Sequence, residues 1–128
     1  MLNKLELNGI EAFVFFPENY SDEKKYPVFI GISGGDQTPG IVQFSANVYF
    51  NSAFFKDYIR IIPINVNNHN FKDYSSDHIK NFVEGIGDYF NVTDSNWAIA
   101  GVSNGGKAAF NFVAQNPSLY LYVAVFPG

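Results

Sequence analysis

The chain has 128 residues, of which 47% are hydrophobic and 18% aromatic, with a formal net charge of −4; that is enough apolar material for one domain with its own core, and it excludes a disordered chain. The eight basic residues are scattered, with only Lys24 and Lys25 adjacent, so the clustered cationic footprint that nucleic acid requires is missing. There is no cysteine, which excludes disulfides, thiolate catalysis and cysteine-held metals.

Residues 2–7 and 11–16 are expected to form two strands around Asn8-Gly9, a dipeptide suited to a tight hairpin turn. This opening lacks the apolar core of a signal peptide and no later stretch reaches the length of a membrane span, so the expected location is cytoplasmic, with no membrane partner. After a polar loop from Pro17 to Lys25, Val28-Phe29-Ile30-Gly31-Ile32 reads as a strand buried on both faces. It ends in the glycine turn Ser33-Gly34-Gly35-Asp36. From Pro39 to Tyr58, Phe44, Val48, Phe55 and Tyr58 fit one helical stripe and predict a helix, although Val48-Tyr49-Phe50 fits an extended segment equally well. Ile59 to Val66 predicts another strand, with Pro63 placing it near a sheet edge or a bulge.

Asn67 to Asn70 reads as a polar loop. Ile79, Phe82, Val83, Ile86 and Phe90 then keep the spacing of an amphipathic helix, with Ser75, Ser76 and Asp77 as candidate caps. Trp97 to Val102 predicts a strand, and Asn104 to Gln115 a helix that stops ahead of Pro117, because the residue before a proline resists the helical conformation. Tyr120 to Phe126 is the last expected strand. Strands alternating with helices predict an α/β domain over residues 1–128, with a mostly parallel sheet flanked by helices and an antiparallel N-terminal hairpin.

The junction between the last two of these units concentrates the chemistry. Gly101, Ser103 and Gly105 form a G-x-S-x-G pattern between a strand and a helix. In such an elbow the serine takes a strained backbone conformation and its hydroxyl stands in the crevice above the strand ends. Ser103 is therefore the candidate nucleophile. Gly101 to Lys107 also satisfies G-x-x-x-x-G-K, the phosphate-cradling loop, but Ala108 stands where that loop needs a serine or threonine to hold magnesium. No histidine and carboxylate grouping has metal-ligand spacing and no dinucleotide fingerprint is present, so neither a metal nor a cofactor is expected.

Lys25 to Ile30 leading into Ser33-Gly34-Gly35, and Trp97 to Pro117 followed by Val123 to Gly128, together resemble the α/β-hydrolase superfamily. The likeness is to its branch of small serine esterases and predicted peptidases, which includes feruloyl-esterase-like and esterase-D-like proteins. The resemblance implies that Ser103 attacks an acyl carbonyl of a small ester substrate. It also implies that backbone N–H groups of Asn104 and of the Ser33, Gly34 and Gly35 turn bind the oxyanion. Ser33 departs from the family, which often has histidine there.

A larger departure follows the elbow. The family supplies its acid and histidine after strands that follow the sixth, whereas this sequence has no histidine, aspartate or glutamate after Ser103. A serine without a base is a poor nucleophile, so four expectations stand side by side. The chain is a truncated hydrolase domain, incomplete and weakly active or inactive alone. Alternatively, a second chain or a copy of this one pairs with the apolar C-terminal strand. Thirdly, His69, leaving the C-terminal end of the fourth strand, serves as the base, with His78 behind it and Asp36, Asp73 or Asp77 orienting. Lastly, the chain is a non-catalytic binding protein that keeps the elbow as architecture. Phe44 and Tyr49, with Phe50, Phe54 and Phe55, are candidates for an acyl or aromatic pocket wall, core packing being the other use for such a run.

Overall fold

Hydrophobic strands that alternate with amphipathic helices must cover both sheet faces, and the chain does so as a three-layer sandwich. In the computed structural model, residues 2–65 and 67–127 are described. The strands are β1 (Leu2–Leu7), β2 (Ile10–Phe15), β3 (Val28–Ile32), β4 (Ile59–Pro63), β5 (Trp97–Val102) and β6 (Tyr120–Phe126), in the sheet order β1-β2-β4-β3-β5-β6. β1 and β2 pair antiparallel across Asn8-Gly9, and β2 meets β4 antiparallel. From β4 through β3 and β5 to β6 every pairing is parallel. The sheet is thus the expected one.

Three helices cover it: α1 (Pro39–Val48), α2 (Ser76–Tyr89) and α3 (Asn104–Gln115). β3 lies between β4 and β5 and is buried at every residue. Its Val28, Ile30 and Ile32 pack with Phe82 and Ile86 of α2 and Phe112 of α3. On the other face Phe29 packs with Val42 and Ala46 of α1 and with Phe50. At about 1.5–3 kcal/mol for each large apolar side chain buried, these two clusters hold the layers together. Ser75 caps α2 with a hydroxyl that accepts from the His78 amide at 3.2 Å, while His78 Nδ1 accepts from the Ser75 amide at 3.4 Å.

Two expectations are corrected. The helix predicted from Pro39 to Tyr58 ends at Val48, and only a short 3₁₀ turn, Ala53–Phe55, follows. The reason is tertiary. The Phe50 ring lies on Gly31, where a Cβ would stand 2.6 Å from it, and the Phe50 carbonyl accepts from Arg60 Nη1 at 2.6 Å. Arg60 itself stacks 4.4 Å from the Phe15 ring centroid, and its burial lowers its pKa. The second correction concerns β4, which is interior and stops at Pro63. Proline, lacking an N–H, marks the end of the ladder instead of an edge. Ile64 and Asn65 fall outside the strand, and Val66 lies outside the described residues. Among the described residues, no helix is long and apolar enough to cross a membrane.

The two sheet edges differ. β1 carries Lys4 and Glu6, with Lys4 Nζ 3.4 Å from Glu11 of β2, whereas β6 reads YLYVAVF and leaves Leu121, Tyr122, Val123 and Val125 exposed. At the start of β6 the Tyr120 hydroxyl is buried without a partner among the described residues, and burial raises its pKa. Removing that hydroxyl in Tyr120→Phe is expected to raise stability by about 1 kcal/mol in urea denaturation at neutral pH. The parent's Tyr120 contribution is intact below its ordinary value of 10.0 and is lost as pH rises above it, because only the unfolded phenol ionises there. The variant's advantage therefore widens in alkaline buffer.

Candidate active site

β5 is buried at all six positions and reaches α3 through a single intervening residue, Ser103. Turning from strand to helix in one residue forces Ser103 to φ 54° and ψ −111°, outside the regions that L-residues ordinarily occupy. The flanking glycines make room for that bend. A Cβ on Gly101 would overlap the Gly105 carbonyl, and one on Gly105 would overlap the Ile32 carbonyl at the end of β3. Ser103 is left exposed, while its own amide donates to the Phe126 carbonyl at 2.8 Å and ties the bend to β6. The phosphate-loop reading fails on the same geometry: no residues remain between Val102 and Asn104 to wrap a phosphate, except Ser103.

β3 ends beside β5, so the Ser33-Gly34-Gly35 turn lies against the elbow. A Cβ on Gly34 would stand 2.9 Å from the Val102 carbonyl oxygen and 3.4 Å from Ser103 Cβ. Asn104 is the first residue of α3, and its amide lies outside the intrahelical ladder at the positive end of the helix dipole. Neither this amide nor those of Gly34 and Gly35 donate to an acceptor among the described residues. The Ser33 hydroxyl is buried and has no hydrogen-bond partner among the described residues. The site thus combines an exposed, strained serine with free N–H groups on two sides, an arrangement suited to holding negative charge that develops on an acyl oxygen.

The other candidate residues are placed elsewhere. The His69 ring packs 4.9 Å from Tyr74 and 4.9 Å from His78, centroid to centroid, and its Nε2 lies 3.3 Å from the Asp73 carbonyl. With Ile10, Ile64 and Asn65 it lines a cavity of about 160 Å³, and no hydrogen bond joins it to Ser103 among the described residues. Burial pushes the pKa of neighbouring Tyr74 up to about 12. His78 and Asp77 sit in the first turn of α2, Asp73 pairs with Lys72 at 3.0 Å, and Asp36 is exposed. Among the described residues, no group of three histidines or carboxylates could hold a metal.

Of the aromatic run, Phe44 is 61% exposed on α1 and Phe50 belongs to the core. Tyr49 packs 5.4 Å from Phe126, and Phe54 packs 5.3 Å from Tyr122. The run therefore continues the α1 layer onto β6. Three residues near the elbow escaped sequence reasoning. Ile41 Cδ1 lies 3.4 Å from where a Cβ on Gly35 would be, and Gln37 and Asn70 bond to the turn itself. A helical-face argument was open for Ile41, whereas Asn70 meets Gly35 and Gln37 across 35 and 33 positions of sequence.

The glycine geometry separates two substitutions of one chemical kind. Gly105→Ala, which drives a methyl into backbone, is expected to cost about 3 kcal/mol or more in urea denaturation. Gly87→Ala, in α2 where a Cβ meets nothing within 4 Å, is expected to gain about 0.5–1 kcal/mol.

Comparison with known proteins agrees with this geometry. The Esterase family model, described as "Putative esterase", matches residues 7–128. Dipeptidyl-peptidase 5 of Aspergillus oryzae (strain ATCC 42149 / RIB 40) is 31% identical over 112 residues, which cover 76% of this chain and 15% of that protein. A ferulic acid esterase structure superposes with a TM-score of 0.70 at 22% identity, over 96% of this chain and 56% of that one. The S-formylglutathione hydrolase from Agrobacterium tumefaciens gives 0.67 at 18% identity, over 99% and 56% of the two chains. The chain spans less than a sixth of the length of the peptidase and little more than half of these two solved enzymes. It belongs to the esterase family and has the α/β-hydrolase fold, from the N-terminal hairpin through the strand that follows the elbow helix.

Proposed function

We propose that these residues form the nucleophile-bearing part of a serine esterase acting on carboxylic esters, with Ser103 as nucleophile. The observation that carries this reading is the strained, exposed Ser103 with its Cβ beside Gly34 and free amides on either side. In this reading Ser103 Oγ attacks the acyl carbonyl as a base removes its proton. The amides of Asn104, Gly34 and Gly35 receive the oxyanion. Collapse expels the alcohol, which takes the proton back from the base, and water then releases the acid from the acyl-enzyme.

The base and its carboxylate are assigned to polypeptide that pairs along β6. No histidine, aspartate or glutamate follows Ser103, and β6 is an edge strand with exposed apolar side chains on both faces. Such an edge invites a further strand. His69 is the alternative base within these residues; its ring packs on Tyr74 and His78, with Nε2 near the Asp73 carbonyl. A non-catalytic interaction protein that keeps the elbow as architecture is the second reading, favoured by the exposed apolar side chains of β6.

Incubation with a fluorophosphonate probe tests the nucleophile. The parent is expected to label slowly and Ser103→Ala not at all, and equal labelling of the two would sink the assignment. Labelling that survives in His69→Ala supports a base from outside, while its loss with the fold intact moves the role to His69. For the edge, light scattering is expected to show concentration-dependent association of the parent, reduced in Val123→Lys. A strict monomer at all concentrations would count against pairing with a second copy.

A further inference from the structure

The Ser33-Gly34-Gly35 turn is held by a backbone bond from Gln37 to Gly34 and by the carboxamides of Gln37 and Asn70. Gln37 is fully buried with a φ of 54°, an unusual place for a polar residue and a costly one unless its amide is satisfied. Its Nε2 donates to the Ser33 carbonyl at 3.1 Å and to Asn70 Oδ1 at 3.0 Å, and its Oε1 accepts from the Phe71 amide at 3.1 Å. Its backbone amide donates to the Gly34 carbonyl at 3.3 Å, and its carbonyl accepts from the Asn65 amide at 2.8 Å. Asn70 Nδ2 donates to the Gly35 carbonyl at 2.9 Å, an oxygen that also receives Asn104 Nδ2 at 3.4 Å.

These bonds have a directional consequence. In a planar trans peptide the C=O and the N–H of one unit point opposite ways. Pinning the Ser33 carbonyl therefore aims the Gly34 N–H, and pinning the Gly34 carbonyl aims the Gly35 N–H. Both carbonyls are pinned by Gln37, one through its side chain and one through its backbone. The side chain is in turn anchored on Asn70 and Phe71, in the segment that follows β4.

Resting on the reading of Ser103 as nucleophile, we propose that Gln37 and Asn70 are positioning residues that aim the Gly34 and Gly35 amides at the oxyanion. The segment between β4 and α2 thereby becomes a structural part of the site without touching the ester.

The test uses Gln37→Glu, whose carboxylate keeps the acceptor for Phe71 but loses the donor to Ser33, and Asn70→Ala, at a partly exposed position. Asn81→Ala, which removes side-chain bonds from α2 to Asn8 in the hairpin turn, is the control. Amide hydrogen exchange in both test variants is expected to rise at least tenfold at residue 37, whose backbone amide donates to the Gly34 carbonyl, with Ile99 of β5 unchanged. Phosphonylation of Ser103 is expected to slow at least tenfold in its maximal rate, with the half-saturating probe concentration unchanged, and the control moves neither readout. A residue 37 amide that keeps the parental exchange rate, or a phosphonylation rate within twofold of the parent, would overturn the proposal. If the parent is not phosphonylated, the nucleophile reading fails by itself, and the exchange measurement alone decides whether Gln37 and Asn70 hold the turn.

Discussion

The site depends on a close approach of backbone to backbone. Strand β5 and helix α3 are joined by one residue, and the helix starts so near the sheet that Gly105 abuts the Ile32 carbonyl and Gly101 abuts Gly105. No side chain larger than hydrogen fits at either glycine, so the strain at Ser103 is imposed by its surroundings and does not relax. The buried strands on either side supply the rigidity. β3 and β5 are solvent-free along their whole lengths, and the elbow and the Ser33-Gly34-Gly35 turn are their adjoining ends. A change in sheet register would move Ser103 and the Gly34 and Gly35 amides apart together with the core, which links the stability of the fold to the geometry of the site.

The same sheet is finished on one side and open on the other. At β1 the hairpin turn and a lysine–glutamate pair discourage further pairing. At β6 both faces are apolar: Tyr122 and Phe126 extend the aromatic layer of Tyr49 and Phe54, and Val125 packs on Gly106 of α3. Because the Ser103 amide bonds to the Phe126 carbonyl, whatever pairs with β6 sits one strand from Ser103. The solved esterases of this fold that match the chain are nearly twice its matched length.

Much of this was legible in the residues. The hairpin at Asn8-Gly9, the doubly buried β3, the amphipathic α2 with Ser75 at its start and the elbow itself all rest on local chemistry, where turn geometry, capping and periodicity act over a few residues. The segment from Pro39 to Tyr58 was misread as one helix because its stripe is real for only ten residues. Beyond Val48 the aromatic side chains are placed by Gly31, Arg60 and β6, none of which is near in sequence. Pro63 was misplaced for a related reason: a missing N–H looks the same whether it ends a ladder in mid-sheet or lies along an edge.

By itself the sequence determined the strand and helix alternation and the sharp bend at Ser103, since each is written in neighbouring residue types and their steric or chemical limits. Only the tertiary structure decided which segments meet at that bend. It set the His69 ring among Tyr74, His78 and the Asp73 carbonyl, and it brought Gln37 and Asn70 onto the carbonyls of the glycine turn. The physical reason is that a hydrogen bond between residues 33 positions apart leaves no periodic mark along the chain; it exists only once the sheet has set two loops side by side.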